Sequence, residues 1–241
     1  MRGGTIAAAT LGYLVGSIPT GVAVGRLLAG VDVRRYGSHS SGATNVLRTA
    51  GTGAGVATLC LDAAKGYVAP AVVRQLGGGA LAQAAAAAGA GVGHSWPCLA
   101  GFRGGRSVMV TIGSLLALEP GTAGLALIGG LPVIAATRYV SLGSLAGAGT
   151  AAAASFRSPR IAGAVRAYTC FAAGLLVLRH RGNIARLLGG AEHRLGDPAP
   201  PPGVTGAVPS GTAPPPPSGA DTMGAVALDG EVAVPCTRKP L

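Results

Sequence analysis

The chain alternates between long apolar runs and short polar loops. Residues 5–25 contain no charged side chain, and this run has about the 20 residues that a helix needs to cross a bilayer. Three more runs without Asp, Glu, Lys or Arg follow at residues 76–101, 121–137 and 139–156. The pattern predicts a series of membrane-spanning helices.

Three further stretches are apolar but less regular. Residues 51–73 contain Asp62 and Lys65, which lie three positions apart on one helical face, where they can pair or serve a polar interior. Residues 107–118 are short, and an arginine interrupts residues 161–178. We therefore expect seven spans, with the fourth shortened or tilted.

Composition supports this fold class. Only 11% of the residues are charged, 49% are hydrophobic and the mean hydropathy is +0.50, which excludes an ordinary soluble domain of 241 residues. The 42 glycines permit close helix packing, so the glycine clusters at residues 51–55 and 89–93 predict helix contacts and not a nucleotide-binding loop. The sequence thus predicts an all-α, polytopic membrane protein.

The arginines indicate an orientation in the cell membrane. Alternate loops on one side carry most of them, and the positive-inside tendency makes that side cytoplasmic, with the N-terminus outside and the C-terminus inside. Arg2 argues weakly the other way, and a signal peptide over residues 1–21 is the alternative. The expected cytoplasmic loops carry Arg26, Arg34, Arg35, Arg48, Arg103, Arg106, Arg138, Arg179, Arg181 and Arg186, and the opposite loops carry Arg74, Glu119, Arg157 and Arg160.

The net charge of +11 does not indicate nucleic acid as a partner. The cations are spread over short loops, and aromatic residues make up only 4% of the chain, so a basic stripe with interleaved aromatics is absent from the sequence. Anionic lipid headgroups and phosphorylated substrates explain the charge better. The cysteines form no C-x-x-C pair, and we expect free thiols, with no zinc, other metal or cofactor.

The composition changes near residue 198. Residues 198–241 contain runs of three and four prolines among Gly, Ala, Ser and Thr, which cannot build a core. We expect residues 1–197 to form the membrane domain and residues 198–241 a disordered cytoplasmic tail. Recognition of a partner through polyproline conformation is the alternative to a plain solvated tail.

Two polar loops on the predicted cytoplasmic face suit a phosphate. Residues 34–48 combine glycines, small hydroxyl and amide side chains and Arg48, whose charge is fixed. Residues 93–107 contain a glycine pair that lets the backbone approach a ligand, followed by Arg106, which can bind a phosphate through two N–H groups. Each loop taken singly also fits an ordinary juxtamembrane segment.

A third polar group joins residues 138–144 to residues 179–187. His180 and Asn183 lie three positions apart, so one helical turn would direct both side chains to the same ligand. Three such groups on one predicted face are harder to explain as capping and juxtamembrane charge. Together they predict an active site at the cytoplasmic face.

The polar segments, taken in order, resemble the bacterial acyl-phosphate:glycerol-3-phosphate acyltransferase family, PlsY. The resemblance covers roughly residues 10–196. It implies a seven-span inner-membrane enzyme that moves a fatty acyl group from acyl phosphate to the sn-1 hydroxyl of glycerol 3-phosphate, giving lysophosphatidic acid and phosphate. The matching motifs are Gly16-Ser17-Ile18-Pro19-Thr20-Gly21, Gly37-Ser38, residues 42–48, Leu61-Asp62 with Lys65-Gly66, residues 93–97, Phe102-Arg103-Gly104-Gly105, residues 138–142 and residues 179–184.

The resemblance also implies roles for individual residues. His180, Asn183 and Ser141 are the catalytic candidates, and the others bind substrate. The positions that match glycerol 3-phosphate contacts are Ser38, Arg48, Arg106, His180 and Asn183, and those around the acyl-phosphate group are Gly42, Thr44, Asn45 and Ser141.

Two segments depart from the family pattern. The family usually reads Gly-Asn-Ile-Gly where this chain has His39-Ser40-Ser41-Gly42, and Gly-Gly-Lys-Gly where it has Gly104-Gly105-Arg106-Ser107. Arg106 keeps the charge of lysine without its shape, and Ser107 removes a glycine beside it. These departures bear on catalytic strength more than on fold.

The residues present fit acyl phosphate chemistry. An acyl phosphate is a mixed anhydride with a good leaving group, so positioning and charge stabilisation suffice and no covalent intermediate is required. No histidine is followed by Asp after four residues, so the pair used by thioester-dependent acyltransferases is absent. His180 can act as a base or bind substrate. A transporter of a small phosphorylated anion and a catalytically weak membrane scaffold of the same fold are the alternatives.

Overall fold

The structure, a computed structural model, describes residues 2–197, and this part of the chain is helical without any strand. The predicted all-α class is therefore confirmed. The predicted tail at residues 198–241, with Cys236, lies outside the described residues. The helices are α1 (Arg2–Gly16), α2 (Thr20–Ala29), α3 (Ala43–Ala50), α4 (Thr52–Gln75), α5 (Ala80–Ser95), α6 (Val108–Leu118), α7 (Pro120–Thr137), α8 (Val140–Arg157), α9 (Gly163–Arg179) and α10 (Arg181–Leu188).

Every apolar run of the sequence is helical, and all but the first form a single α-helix. Three stretches are long and apolar enough to cross a membrane, namely Gly3–Ala29, Thr52–Gln75 and Pro120–Thr137. The fourth run becomes α6, which has 11 residues and is the short helix that the sequence predicts. The multi-pass membrane character is thus supported by several apolar helices of the described chain.

The sequence pattern alone predicts one continuous helix over the first run. The structure divides this run into two helices. α1 ends at Gly16 and α2 begins at Thr20, with Pro19 as the residue that precedes α2. Proline lacks an N–H group and disfavours helical conformation in the residue before it. The break leaves backbone carbonyls without partners in their own helix, and in a membrane such groups must be satisfied by other parts of the protein.

Charged residues of α4 satisfy this break. The Nζ of Lys65 donates to the backbone oxygen of Ile18 at 2.9 Å and to the hydroxyl of Thr20 at 3.2 Å. Asp62 accepts from the same Thr20 hydroxyl at 2.5 Å and pairs with Lys65 at 2.9 Å. Both charged side chains are buried. The predicted pairing of Asp62 with Lys65 in a polar interior is confirmed.

Glycines bring α1 and α5 into backbone contact. Gly12 and Gly16 lie one turn apart on α1, and Gly89 and Gly93 lie one turn apart on α5. A Cβ atom at any of these four positions would collide with the backbone of the facing helix. This arrangement of small residues lets two membrane helices approach closely, where dispersion forces hold them together. The packing role predicted for the glycines at residues 89–93 is confirmed at these two positions.

We predict that Gly89→Ala destabilises the protein, because its Cβ atom would meet the backbone of Ala9. Forcing an extra carbon into a packed interface costs about 1–3 kcal/mol. Gly149→Ala is the matched control, since no atom lies within 4 Å of its added Cβ. Thermal unfolding in detergent, followed by Trp96 fluorescence, should show a lower midpoint for Gly89→Ala alone. Equal midpoints for the two variants would contradict this helix contact.

Candidate active site

All nine residues that the sequence proposes for the site line one cavity. They come from three separate segments: the loop that leads into α3, the loop before α6, and the ends of α8, α9 and α10 that lie beside it. The residues are Ser38, Gly42, Thr44, Asn45, Arg48, Arg106, Ser141, His180 and Asn183.

Asn45 shapes the first loop. Its Nδ2 donates to the backbone oxygens of Val33 and Ser40, both at 2.8 Å, and of Tyr36 at 3.2 Å. Its Oδ1 accepts from the backbone N–H of Ser38 at 2.9 Å. The side chain is buried, and these partners use both ends of its amide. Asn45 therefore fixes the loop conformation at the cavity wall.

The loop delivers a helix N-terminus to the cavity. α3 starts after Gly42, so the backbone N–H groups of its first turn point toward the cavity with the positive end of the helix dipole. Gly42 also faces the second loop: a Cβ atom there would lie 4.0 Å from the Cα of Gly105. Thr44 lies in this first turn and lines the cavity. Such a terminus suits an anion.

Two arginines present N–H groups to the same cavity. Arg48 donates through Nη2 to the backbone oxygens of His193 at 3.3 Å and Arg194 at 3.2 Å, whereas its buried Nε has no partner among the described residues. Arg106 makes no hydrogen bond or ion pair within residues 2–197. Burial lowers the pKa of Arg106 to about 10, so it stays charged at neutral pH. The free N–H groups make this a site for an anion.

His180 is a neutral acceptor at neutral pH. Its Nδ1 lies 2.8 Å from the backbone oxygen of Leu176, which fixes the proton on Nδ1 and leaves the lone pair on Nε2. Burial, together with the nearby charge of Arg106, lowers the pKa of His180 to about 4. Such a group is a weak base, and it is better suited to accept a hydrogen bond from a ligand hydroxyl.

Glu192 belongs to the site although sequence reasoning missed it. Its Oε1 accepts from Ser141 at 2.8 Å and from Asn183 at 2.5 Å, and its Oε2 accepts from Nε of Arg186 at 2.8 Å. Burial alone would raise the pKa of Glu192, but the hydrogen bonds from Asn183 and Ser141 hold it below its ordinary value. The carboxylate is ionised and orients two of the candidate catalytic side chains.

Hydrogen bonds hold the segment that carries Glu192 at the cavity mouth. The N–H of Leu195 donates to the backbone oxygen of Arg138 at 2.7 Å, and the side chain of Arg138 donates to the Leu195 oxygen at 2.6 Å. With the bonds from Arg48 to His193 and Arg194, three points fix residues 192–195. Glu192 follows Asn183 by nine positions, and this spacing carries no signal in the sequence that the two side chains meet.

The cavity continues from this polar mouth into an apolar limb between α6, α7, α8 and α9. Small and aliphatic side chains line it, so it offers no polar partner comparable to those of the mouth. The lining includes Ile112 and Leu115 of α6, Leu127 and Leu131 of α7, Gly147 and Ala148 of α8, and Ala173 and Leu176 of α9. The site thus combines a cationic mouth with a hydrocarbon-like interior.

A model of the glycerol-3-phosphate acyltransferase family matches residues 6–190 of this chain. The chain belongs to the glycerol-3-phosphate acyltransferase family. The family resemblance drawn from the motifs is confirmed, and so is the acyltransferase function that it implies.

Curated relatives and solved structures agree with this family. A glycerol-3-phosphate acyltransferase of Gloeobacter violaceus is 46% identical over 197 residues, which cover 78% of this chain and 93% of the relative. Glycerol-3-phosphate acyltransferase 2 of Moorella thermoacetica is 45% identical over 190 residues, which cover 79% of this chain and 97% of the relative. These matches span nearly the whole length of both relatives.

Two crystal structures of the integral membrane glycerol 3-phosphate acyltransferase PlsY (YgiH) share this fold. The glycerol 3-phosphate form superposes with a TM-score of 0.75 at 33% identity and covers 80% of this chain and 96% of that one. The lysophosphatidic acid form gives a TM-score of 0.72 at 31% identity, with 79% and 94% covered. These neighbours confirm that the chain has the fold of an integral membrane acyltransferase.

Both departures from the acyltransferase family pattern fall at left-handed backbone positions. His39 has a φ of 53° and Ser107 a φ of 62°, a conformation that glycine adopts without strain. Each replacing side chain is hydrogen-bonded: Nδ1 of His39 lies 3.1 Å from the backbone oxygen of Arg34, and Oγ of Ser107 donates to the backbone oxygen of Gly91 at 2.6 Å. The loops therefore keep a glycine-type conformation without glycine.

We predict that His180 stays neutral from pH 8 down to about pH 5. An ordinary histidine titrates near 6.5, and burial lowers the pKa of His180 to about 4. Between these values the unfolded chain takes up a proton that the folded chain does not, so stability falls as the pH drops through this window. NMR of histidine-labelled protein in detergent, with the His180 signal assigned by His180→Gln, measures the titration. A midpoint near 6.5 would contradict the buried, neutral assignment.

Proposed function

We propose that this chain transfers a fatty acyl group from acyl phosphate to the sn-1 hydroxyl of glycerol 3-phosphate, giving lysophosphatidic acid and inorganic phosphate. The supporting observation is one continuous cavity that joins a cationic mouth to an apolar limb. Lysophosphatidic acid carries a phosphate and an acyl chain in one molecule, and a related structure holds that compound. The two parts of the cavity match the two parts of this product.

The charge balance of the mouth supports a phosphomonoester as acceptor. Arg48 and Arg106 contribute two positive charges to the lining, the negative charge of Glu192 is paired with Arg186, and His180 is neutral. The excess positive charge suits the dianion of glycerol 3-phosphate. Arg48 and Arg106 would bind its phosphate.

The donor phosphate is assigned to the first turn of α3. Ala43 and Thr44 bring backbone N–H groups to the cavity wall there, whereas the N–H of Gly42 donates to the Ser40 hydroxyl at 3.2 Å. Ser38 also lines this wall. Ser141 lies where mouth and limb meet, and its hydroxyl donates a hydrogen bond to Glu192. The acyl carbonyl then lies near Ser141, with its chain in the apolar limb.

The reaction follows from this placement. The sn-1 hydroxyl oxygen attacks the acyl carbon, and neutral His180 and Asn183 orient that hydroxyl and the rest of the glycerol. The bond between the acyl carbon and the phosphate oxygen breaks, and the phosphate leaves with the bonding electrons. The proton of the attacking hydroxyl passes to this phosphate, which departs as hydrogen phosphate. Fixed positive charge and helix N–H groups stabilise the negative charge that develops on the leaving group.

Purified protein incubated with acyl phosphate and labelled glycerol 3-phosphate tests this function directly. We expect labelled lysophosphatidic acid to form with acyl phosphate, and little of it with the same acyl group on coenzyme A. Comparable turnover with acyl-CoA alone would overturn the donor assignment. Vesicles that accumulate label without forming product would indicate a transporter instead, and inactivity in both assays would indicate a scaffold.

We propose that Arg48 and Arg106 bind the acceptor phosphate. Loss of one charge-assisted hydrogen bond costs about 1.5–3 kcal/mol, which is roughly tenfold to over a hundredfold in catalytic efficiency. We predict that Arg106→Ala nearly abolishes activity, whereas Arg106→Lys, which restores the family residue, keeps or improves it. Steady-state kinetics with varied glycerol 3-phosphate is the measurement. Unchanged efficiency in both Arg48→Ala and Arg106→Ala would place the acceptor elsewhere.

We also propose that α1 with α2, and α4 to α9, form seven spans with the N-terminus outside and the active site on the cytoplasmic face. The short α6 supports a shortened fourth span, and the arginine-rich loops support the orientation. In a cysteine-free background of intact cells, an impermeant thiol reagent should modify Pro159→Cys but not Arg103→Cys, since both positions are exposed on opposite predicted sides. The reverse pattern would invert the topology.

A further inference from the structure

The apolar limb is built from one stripe of each surrounding helix. On α8 the lining positions recur every three or four residues, from Ser141 at the mouth to Ala151 at the far end. On α9 they run in the same way from His180 back to Thr169. The limb therefore follows the helix axes into the membrane and has a definable length.

Glycines keep the limb narrow. A Cβ atom on Gly147 would lie 2.5 Å from the backbone oxygen of Ala126, and one on Gly143 would lie 2.7 Å from that of Gly130. α7 and α8 are thus in backbone contact along one wall of the limb. Helices in such contact leave room for one extended chain between their stripes and those of α6 and α9.

The limb ends at packed core. Ala151, Ala126 and Leu115 line its far end and are 2%, 6% and 1% exposed. Tyr168 and Ala123 belong to the same buried cluster but do not line the cavity. A chain that enters from the mouth meets side chains here that have no free space behind them.

The depth of the limb can be expressed in carbon atoms. Ala151 follows Ser141 by ten residues of α8, which is roughly 15 Å at a rise of about 1.5 Å per residue. Carbon–carbon bonds of about 1.5 Å at tetrahedral angles advance an extended chain by roughly 1.3 Å per carbon. The limb therefore holds about a dozen carbons, counted from a carbonyl at Ser141.

We infer that the far end of this limb, formed by Ala151 with Ala126 and Leu115, measures the acyl chain of the donor. The inference rests on the proposed function, because it places the acyl carbonyl at Ser141. Each methylene up to about the twelfth exchanges lipid or detergent for packed protein surface, so the limb can distinguish donors by their length. Carbons beyond that number leave the limb sideways toward lipid and contribute no further gain.

Leucine substitutions along α8 test whether the depth of the limb sets the preferred acyl-chain length, a property called the ruler below. Ala148 lies one turn above Ala151 and about 10 Å from Ser141 at the same helical rise, so Ala148→Leu should shorten the limb to about eight carbons. Ala151→Leu should act only near the twelfth carbon. Ala153→Leu is the matched control, because Ala153 is exposed and does not line the limb.

The measurement is kcat/KM of the purified full chain with acyl phosphates of four to eighteen carbons. At each chain length, the kcat/KM of the variant is divided by the kcat/KM of the unsubstituted protein. This ratio cancels partition of the donor into detergent. For Ala148→Leu we expect a ratio near one for short donors and a fall of about tenfold or more beyond eight carbons. Ala151→Leu should fall at a longer chain, and Ala153→Leu should stay flat.

The outcomes distinguish failure of the chain-length inference from failure of the proposed acyl transfer. A ratio for Ala148→Leu that is the same at every chain length overturns the ruler while leaving acyl transfer intact. Turnover of no acyl phosphate by the unsubstituted protein overturns the proposed function itself. If Ala151→Leu lowers every ratio equally because its core is disturbed, Ala148→Leu alone decides.

Discussion

The structure depends on the buried charge cluster that closes the break between α1 and α2. Lys65 donates to the backbone oxygen of Ile18 and to the Thr20 hydroxyl, and Asp62 accepts from that hydroxyl. The break lies in a region where an unpaired charge or carbonyl would cost several kcal/mol. The charges of Asp62 and Lys65 are satisfied by their ion pair and by the hydroxyl of Thr20. The break can therefore exist within the apolar helices only because α4 supplies these two side chains.

The same cluster reaches the active-site loop through His94. Nδ1 of His94 lies 3.4 Å from Asp62, and its backbone oxygen accepts from the N–H of Gly105 at 3.0 Å. The imidazole lies directly against Gly105, where any Cβ atom would collide with it. The residue that follows is Arg106. The helix break, the buried ion pair and the loop that carries Arg106 thus form one connected structure.

Much of the fold could be predicted from the sequence, since apolar runs and arginine-bearing loops reflect burial and charge directly. The break at Pro19 could not, because proline alone does not decide: Pro70 and Pro132 lie inside continuous helices. What distinguishes Pro19 is that its neighbours Ile18 and Thr20 both accept hydrogen bonds from Lys65 of α4. The nine site residues were found through family motifs and lie around one cavity. Glu192 was missed because its contacts with Ser141 and Asn183 are visible only in three dimensions.

The left-handed residues His39 and Ser107 bear on how this site meets its ligands. A glycine in either position leaves a loop free to sample many backbone states, and a ligand must then remove that freedom when it binds. Here a side chain holds the strained conformation, at a cost of about 1–2 kcal/mol offset by its hydrogen bond. Both loops therefore stand preorganised before substrate arrives. Binding should therefore cost less conformational entropy than it would with glycine at these two positions.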